Sequence, residues 1–128
     1  MLKVLVVDDS KIMRRMVVRS LELSGLSLSE VHEAESGAEA LEVLRRVWID
    51  VVLCDVHMPN MSGVELVRRL SEDQLMSDVP IIMVSSDRSP AQIDELQRLG
   101  VRAYVSKPFQ PETLARAVEQ VLGLPRAS

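Results

Sequence analysis

Lys3-Val-Leu-Val-Val-Asp-Asp9 decides the fold. Four aliphatic residues run straight into two acids. An unbroken apolar run of this length reads as a strand buried on both faces, the kind that builds a parallel sheet. Three more runs end on a polar side chain in the same way: Asp50-Val-Val-Leu-Cys-Asp55, Pro80-Ile-Ile-Met-Val-Ser85 and Arg102-Ala-Tyr-Val-Ser-Lys107. Helical patterns separate them, which predicts an α/β unit. In an open α/β sheet, ligands bind in the crevice beyond the carboxyl ends of the strands. Asp8, Asp9, Asp55, Ser85 and Lys107 are therefore expected at one rim. Like charges that close repel by about 4 kcal/mol per pair at ~4 Å and an effective dielectric near 20. Such a cluster wants a divalent cation or a proton, and for an ion an all-oxygen ligand set with room for phosphate favours Mg²⁺.

Outward from those runs, helix signals complete a β-α pattern repeated five times. The first helix is predicted over residues 10–23, stopped by Gly25. A second strand near 30–34 leads to Ser36-Gly-Ala-Glu39, a capping box that opens a helix to about residue 47. Ser62-Gly-Val-Glu65 repeats the device, and that helix ends before the polar stretch 72–78. Ser89-Pro-Ala-Gln92 opens the fourth helix, with Pro90 at its first position and Gly100 closing it. Gln110-Pro-Glu-Thr113 opens the fifth, and Gly123 closes it. One domain over 1–124 with a short tail at 125–128 is expected.

The bulk composition excludes several classes. At 128 residues the chain can bury a full core, and with one Phe, one Trp and one Tyr that core is aliphatic. Fifteen basic against nineteen acidic residues argue against direct nucleic-acid binding. A single cysteine, Cys54, excludes an internal disulfide and fits a reducing, cytoplasmic setting. The first apolar run is broken by Asp8 and Asp9, so it does not read as a secretory leader. No apolar stretch approaches the ~18 residues that span a bilayer.

Each candidate also has an ordinary explanation. Asp8 and Asp9 precede a helix, where one acid serves as a cap; two directly after a buried strand exceed that need. Asp55 alone is a turn-initiating acid, with Pro59 and Gly63 in the following loop. Beside the acidic pair it is a candidate nucleophile, because a carboxylate accepts a phosphoryl group as an acyl phosphate. Such transfer depends on positioning and charge stabilisation, which Mg²⁺ and Lys107 supply. Pro108 biases Lys107 away from helix. Ser85 is a candidate donor to a phosphoryl oxygen. His32 reads as a surface or half-buried strand residue, and Cys54 as a small buried hydrophobe. Lys11, Arg14, Arg15 and Arg19 form a basic stripe, read first as a solvated face and second as a dock for an acidic kinase surface. Met13, Met16 and Met83 read as core fillers.

Asp8-Asp9-Ser10-Lys11, the run from Cys54 to Gly63, Val84-Ser85-Ser86 and the run from Ala103 to Phe109 together resemble the receiver-domain pattern of two-component response regulators. Stand-alone chemotaxis regulators are the nearest in character, and the resemblance covers residues 2–122. It implies a flavodoxin-like (βα)5 fold, a doubly wound parallel sheet of order 2-1-3-4-5. It implies that Asp55 is the phosphoacceptor, supplied by a sensor histidine kinase or phosphotransfer protein. Asp9 and Asp55 would bind Mg²⁺ directly, Asp8 largely through water, and the His57 backbone carbonyl would complete the protein ligands. Lys107 would pair with the phosphoryl oxygens. Ser85 and Tyr104 would form the switch, and the fourth helix, fifth strand and fifth helix (90–122) would meet a downstream protein.

Some positions depart from the commonest family pattern. Ser85 stands where Thr is frequent, and Ser62 where many members have Asp. His57 and Asp87 occupy the positions at which the family tunes its phosphate lifetime. The implied protein is a phosphorylation-controlled cytoplasmic switch, a monomer or phosphorylation-dependent dimer. It catalyses only its own phosphotransfer and autodephosphorylation. The alternative is a phosphorylation-independent pseudo-receiver, which would show a broken acid pocket or a missing Lys. A phosphohydrolase would carry a second Asp where His57 stands. An FMN protein would need a phosphate loop where Asp8 and Asp9 repel phosphate.

Overall fold

The computed structural model describes residues 1–124. The elements alternate strictly: β1 (Leu2–Val7), α1 (Lys11–Leu23), β2 (Leu28–Ala34), α2 (Gly37–Arg46), β3 (Val51–Cys54), α3 (Gly63–Glu72), β4 (Ile81–Ser85), α4 (Pro90–Arg98), β5 (Ala103–Ser106) and α5 (Pro111–Leu122). The strands form one parallel sheet in the order β2-β1-β3-β4-β5. The expected architecture and order are those observed. The tail expected at 125–128 lies outside the described residues.

Period-2 alternation divides the aliphatic side chains between two cores. Leu5, Val7, Val52, Cys54 and Met83 point to one face, where α2, α3 and α4 cover them. Val4, Val6, Val51, Leu53, Ile82 and Val84 point to the other, under α1 and α5. On α1 the helical period brings Val17, Val18 and Leu21 inward. Met16 was expected in the core with Met13 and Met83, but it is 53% exposed. It falls one position before the buried Val17, on the opposite side of the helix.

The helix ends follow the cap chemistry. Ser10, Ser36, Ser62 and Ser89 each accept a backbone N–H three residues on. The reciprocal half of the box forms at neither site: the Glu39 carboxylate does not take the Ser36 N–H, and the Glu65 carboxylate turns instead to Arg68 and Arg69. Gln110 begins α5 without any side-chain cap bond. Gly25, Gly100 and Gly123 all take positive φ at helix ends, as the stop signals required. β2 starts at Leu28, two residues before the expected start, because Leu2 and Lys3 pair with Leu28 and Glu30 across an irregular register.

Register then fixes what meets at the carboxyl rim. Val7 pairs with Cys54, and Cys54 with Met83, so Asp8 and Asp55 emerge side by side. Ser85 pairs with Ser106, so Lys107 emerges just beyond them.

Candidate functional site

The three carboxylates do converge. Asp8, Asp9 and Asp55 each offer an oxygen within 4.8 Å of the others. They differ in surroundings. Asp8 is 4% exposed; its Oδ1 accepts the Ser10 N–H at 2.9 Å, and its Oδ2 lies 3.2 Å from Lys107 Nζ. Asp9 is exposed, and its carboxylate has no hydrogen-bond partner among the described residues. Asp55 is half-buried between them, with Oδ1 accepting the Val56 N–H at 2.8 Å and standing 3.8 Å from Lys107 Nζ. One ammonium thus serves two acids. A set of hard oxygen donors with one acid free to solvent suits Mg²⁺, which prefers few carboxylates and several waters.

Burial raises the Asp55 carboxyl above its usual value, and the neighbouring Asp8 charge adds to the rise. Lys107 and the backbone N–H groups of Val56 and His57 pull against it. Asp55 therefore holds a charge that its surroundings do not fully compensate. Cys54 is buried beside it, and its thiol donates to the Asp55 carbonyl at 3.2 Å. Desolvation pushes that thiol far up, so it stays protonated and unreactive, as expected of a packing residue.

The loop after β3 is held tightly against the site. Gly63 N–H donates to the Val56 carbonyl at 2.7 Å. A Cβ on Gly63 would run into the Asp55 carbonyl oxygen and come within 2.9 Å of Val56 Cα. That approach of backbone to backbone is what requires glycine here.

Ser85 was expected just past β4; it is the last residue of the strand and only 1% exposed. Its Oγ accepts the Asp87 N–H at 3.1 Å. Tyr104, half-buried on β5 against the α2–α4 core, donates its hydroxyl to the Asp87 carbonyl. Burial raises that phenol, while contact with Ser85 opposes the rise. Asp87 Oδ1 accepts the Ser89 N–H at 2.8 Å, and Oδ2 lies 2.8 Å from His57 Nε2. Those two hydrogen bonds, Ser89 first, hold the Asp87 carboxyl below its usual value. The sequence points to His57 and Asp87 together but not to the bond between them.

The basic stripe of α1 is reshaped. Arg14 points inward, donating to the Asp8 carbonyl at 2.7 Å and to Glu33 at 3.2 Å. Arg15 also reaches Glu33, so these pairs run to β2 rather than along the helix. Exposed Ile12 and Met16 lie between Lys11, Arg15 and Arg19. His32 is a half-exposed strand residue bonded to Glu30. No helix among the described residues is long and apolar enough to cross a membrane.

Comparison with known proteins agrees with this geometry. The family model for the response regulator receiver domain matches residues 4–119. The chain is 39% identical to a chemotaxis protein CheY homolog of Campylobacter jejuni over 123 residues, covering 95% of this chain and 93% of that protein. It is also 39% identical to chemotaxis protein CheY1 of Helicobacter pylori, covering 95% of this chain and 98% of that one. Among solved structures, chemotaxis protein CheY4 of Vibrio cholerae superposes with a TM-score of 0.86 at 38% identity, covering 95% and 99% of the two chains. The family's members are signalling domains with an acidic Mg²⁺ pocket. With its strand order, its strand-end acids and a match over nearly its whole length, this chain belongs to the response regulator receiver domains, and its relatives are chemotaxis regulators of the CheY type.

Proposed function

We propose that this chain is a phosphorylation-activated switch whose acceptor is Asp55. The observation that carries the reading is the placement of one ammonium, Lys107, 3.8 Å from Asp55 and 3.2 Å from Asp8 inside a three-carboxylate cluster. A carboxylate so placed is poised to attack phosphorus. The P–N bond of a phosphohistidine on a sensor kinase or phosphotransfer protein breaks as the Asp55 O–P bond forms. The imidazole leaves with the electron pair and takes a proton. Asp9 and Asp55 would hold Mg²⁺ directly, with Asp8 through water and the His57 carbonyl as a further ligand. The ion supplies charge neutralisation for the phosphoryl oxygens. Lys107 moves its attention from the acids to those oxygens. Enzymatic action is confined to the protein's own phosphorylation and hydrolysis.

The readout runs through Asp87. Ser85 anchors its N–H and Tyr104 its carbonyl. When Ser85 turns its hydroxyl to an arriving phosphoryl group, the loop between β4 and α4 loses its anchor and Tyr104 follows. Leu96 is the one buried residue of α4, so that helix is lightly held and suited to move. The face formed by α4, β5 and α5 then changes its affinity for a downstream protein, since only a differential interaction shifts a population. The His57–Asp87 bond joins the two loops flanking Asp55, and separating them should shorten the phosphate lifetime. Ile12 and Met16 with Lys11, Arg15 and Arg19, on the helix that starts at the rim, suit docking of the phosphodonor protein. The setting proposed is cytoplasmic.

Acetyl phosphate and Mg²⁺ test the reading by intact mass, with EDTA and Asp55→Asn controls. One added phosphoryl group that needs both metal and Asp55 is the expected result. A folded protein that takes no group, and shows no change with beryllofluoride, would instead be a phosphorylation-independent interaction module.

A further inference from the structure

The amino end of the sheet carries an apolar groove that phosphoryl chemistry does not use. Its two walls are the end of α2 with the following loop, and the loop between α3 and β4. They enclose a cavity of about 640 Å³ based on the buried Met76. At its edges stand Trp48, 75% exposed, and Leu75, 94% exposed. Trp48 is not loose. Its Nε1 donates to Asp50 Oδ1 at 3.0 Å, and Asp50 Oδ2 in turn accepts the Lys3 N–H of β1 at 2.8 Å. A solvent-facing indole is thus oriented by a carboxylate tied to the sheet. Oriented Trp beside Arg is the chemistry of interface anchors.

Charge identifies what fits. Arg45 on the α2 wall and Asp78 on the opposite wall are both exposed and line the same groove. Neither has an ionic partner among the described residues. A ligand of one sign would satisfy one wall and be repelled by the other. A second copy turned about a two-fold axis satisfies both, because each cationic wall then meets the other's anionic wall. We infer that this groove is a self-docking face: Trp48 and Leu75 of each copy fill the groove of the other, with Arg45 opposite the second copy's Asp78. The patch is smaller than the interface of a permanent dimer, so the pairing is weak and concentration-dependent. It lies at the far end of the sheet from Asp55, so it leaves the acceptor open and does not depend on phosphorylation.

Sedimentation velocity of the full chain, run alongside emission of Trp48, its sole tryptophan, tests this without any phosphodonor. Failure here therefore says nothing about Asp55. The expected result is a sedimentation coefficient that rises with concentration while Trp48 emission shifts to the blue along the same curve, with or without beryllofluoride and Mg²⁺. Leu75→Glu, at a solvent-facing site, should weaken association by at least about tenfold. Arg45→Asp and Asp78→Arg should each weaken it, and the double variant should restore it. Circular dichroism confirms that each variant is folded. A monomer with constant Trp48 emission overturns the inference. So does association that appears only with beryllofluoride, that ignores Leu75→Glu, or that the double reversal fails to rescue.

Discussion

The carboxyl end of the sheet confines charge in partial burial: Asp8 and Asp55 share the single Lys107 ammonium, and Asp55 is pushed toward protonation by its surroundings. The amino end does the reverse and leaves Trp48 and Leu75 in water. Both ends leave something unsatisfied, yet only one of them stores that in the folded state of a single chain. Exposed apolar groups cost a monomer little relative to its unfolded chain, which exposes them too. Partly buried acids cost folding directly. The two ends should therefore respond oppositely to mutation.

Removing Lys107 is the harshest way to test the contrast. Lys107→Ala leaves Asp8 and Asp55 without their shared cation, and breaking a buried pair costs about 3 kcal/mol. Urea titration in EDTA at neutral pH measures it; a variant as stable as the wild type would show that Lys107 compensates nothing. Next in size is metal. Mg²⁺ at about a hundred times its Kd should stabilise the wild type by about 2.7 kcal/mol, since it binds only the assembled acid cluster. The same titration of Leu75→Ser should show an equal gain, because the amino end has no part in the site.

Asp55→Asn should act in the opposite direction to Lys107→Ala, raising stability by about 1 kcal/mol in EDTA at neutral pH. The sign follows from the raised Asp55 carboxyl. The folded state holds that proton more tightly than the unfolded state, so the favourable contribution is complete below the ordinary carboxylate value. It is lost as pH rises through the raised one. The advantage of the Asn variant should thus shrink as pH falls to the ordinary carboxylate range, which a pH series of denaturation midpoints reads directly. Smallest of all, Leu75→Ser should change monomer stability by less than about 0.5 kcal/mol in dilute protein. A larger loss would mean that the amino end is core, not surface.

Local chemistry was legible in the chain, and long-range pairing was not. Ser36, Ser62 and Ser89 cap helices as their spacing demands, and the aliphatic runs became the strands they resembled; Ser10, read as the first residue of a helix capped by an acid, is itself the cap of α1. The rim acids could be placed because a parallel sheet sends every strand end to the same side. Strand order came from family resemblance, since five similar runs carry no register of their own. Arg14 turning inward was invisible because its partner Glu33 lies 19 residues away on another element. His57 and Asp87, 30 residues apart, were each noticed but not joined. Met16 went wrong through a one-residue phase error on α1, where Val17 and Val18 define the buried side. The Trp48 groove required two loops to be brought together, and neither loop carries a signal by itself.

Asp87 uses its N–H, its carbonyl and both carboxylate oxygens, and each goes to a different neighbour: Ser85, Tyr104, Ser89 and His57. In circuit terms it is a junction with four wires and no spare terminal. A side-chain replacement at Asp87 cuts the wires to Ser89 and His57 and leaves the two backbone wires to Ser85 and Tyr104 connected. In the switch proposed above, the timer and the relay therefore meet in one residue on different atoms, side chain for the first and backbone for the second, so the two can be retuned one at a time.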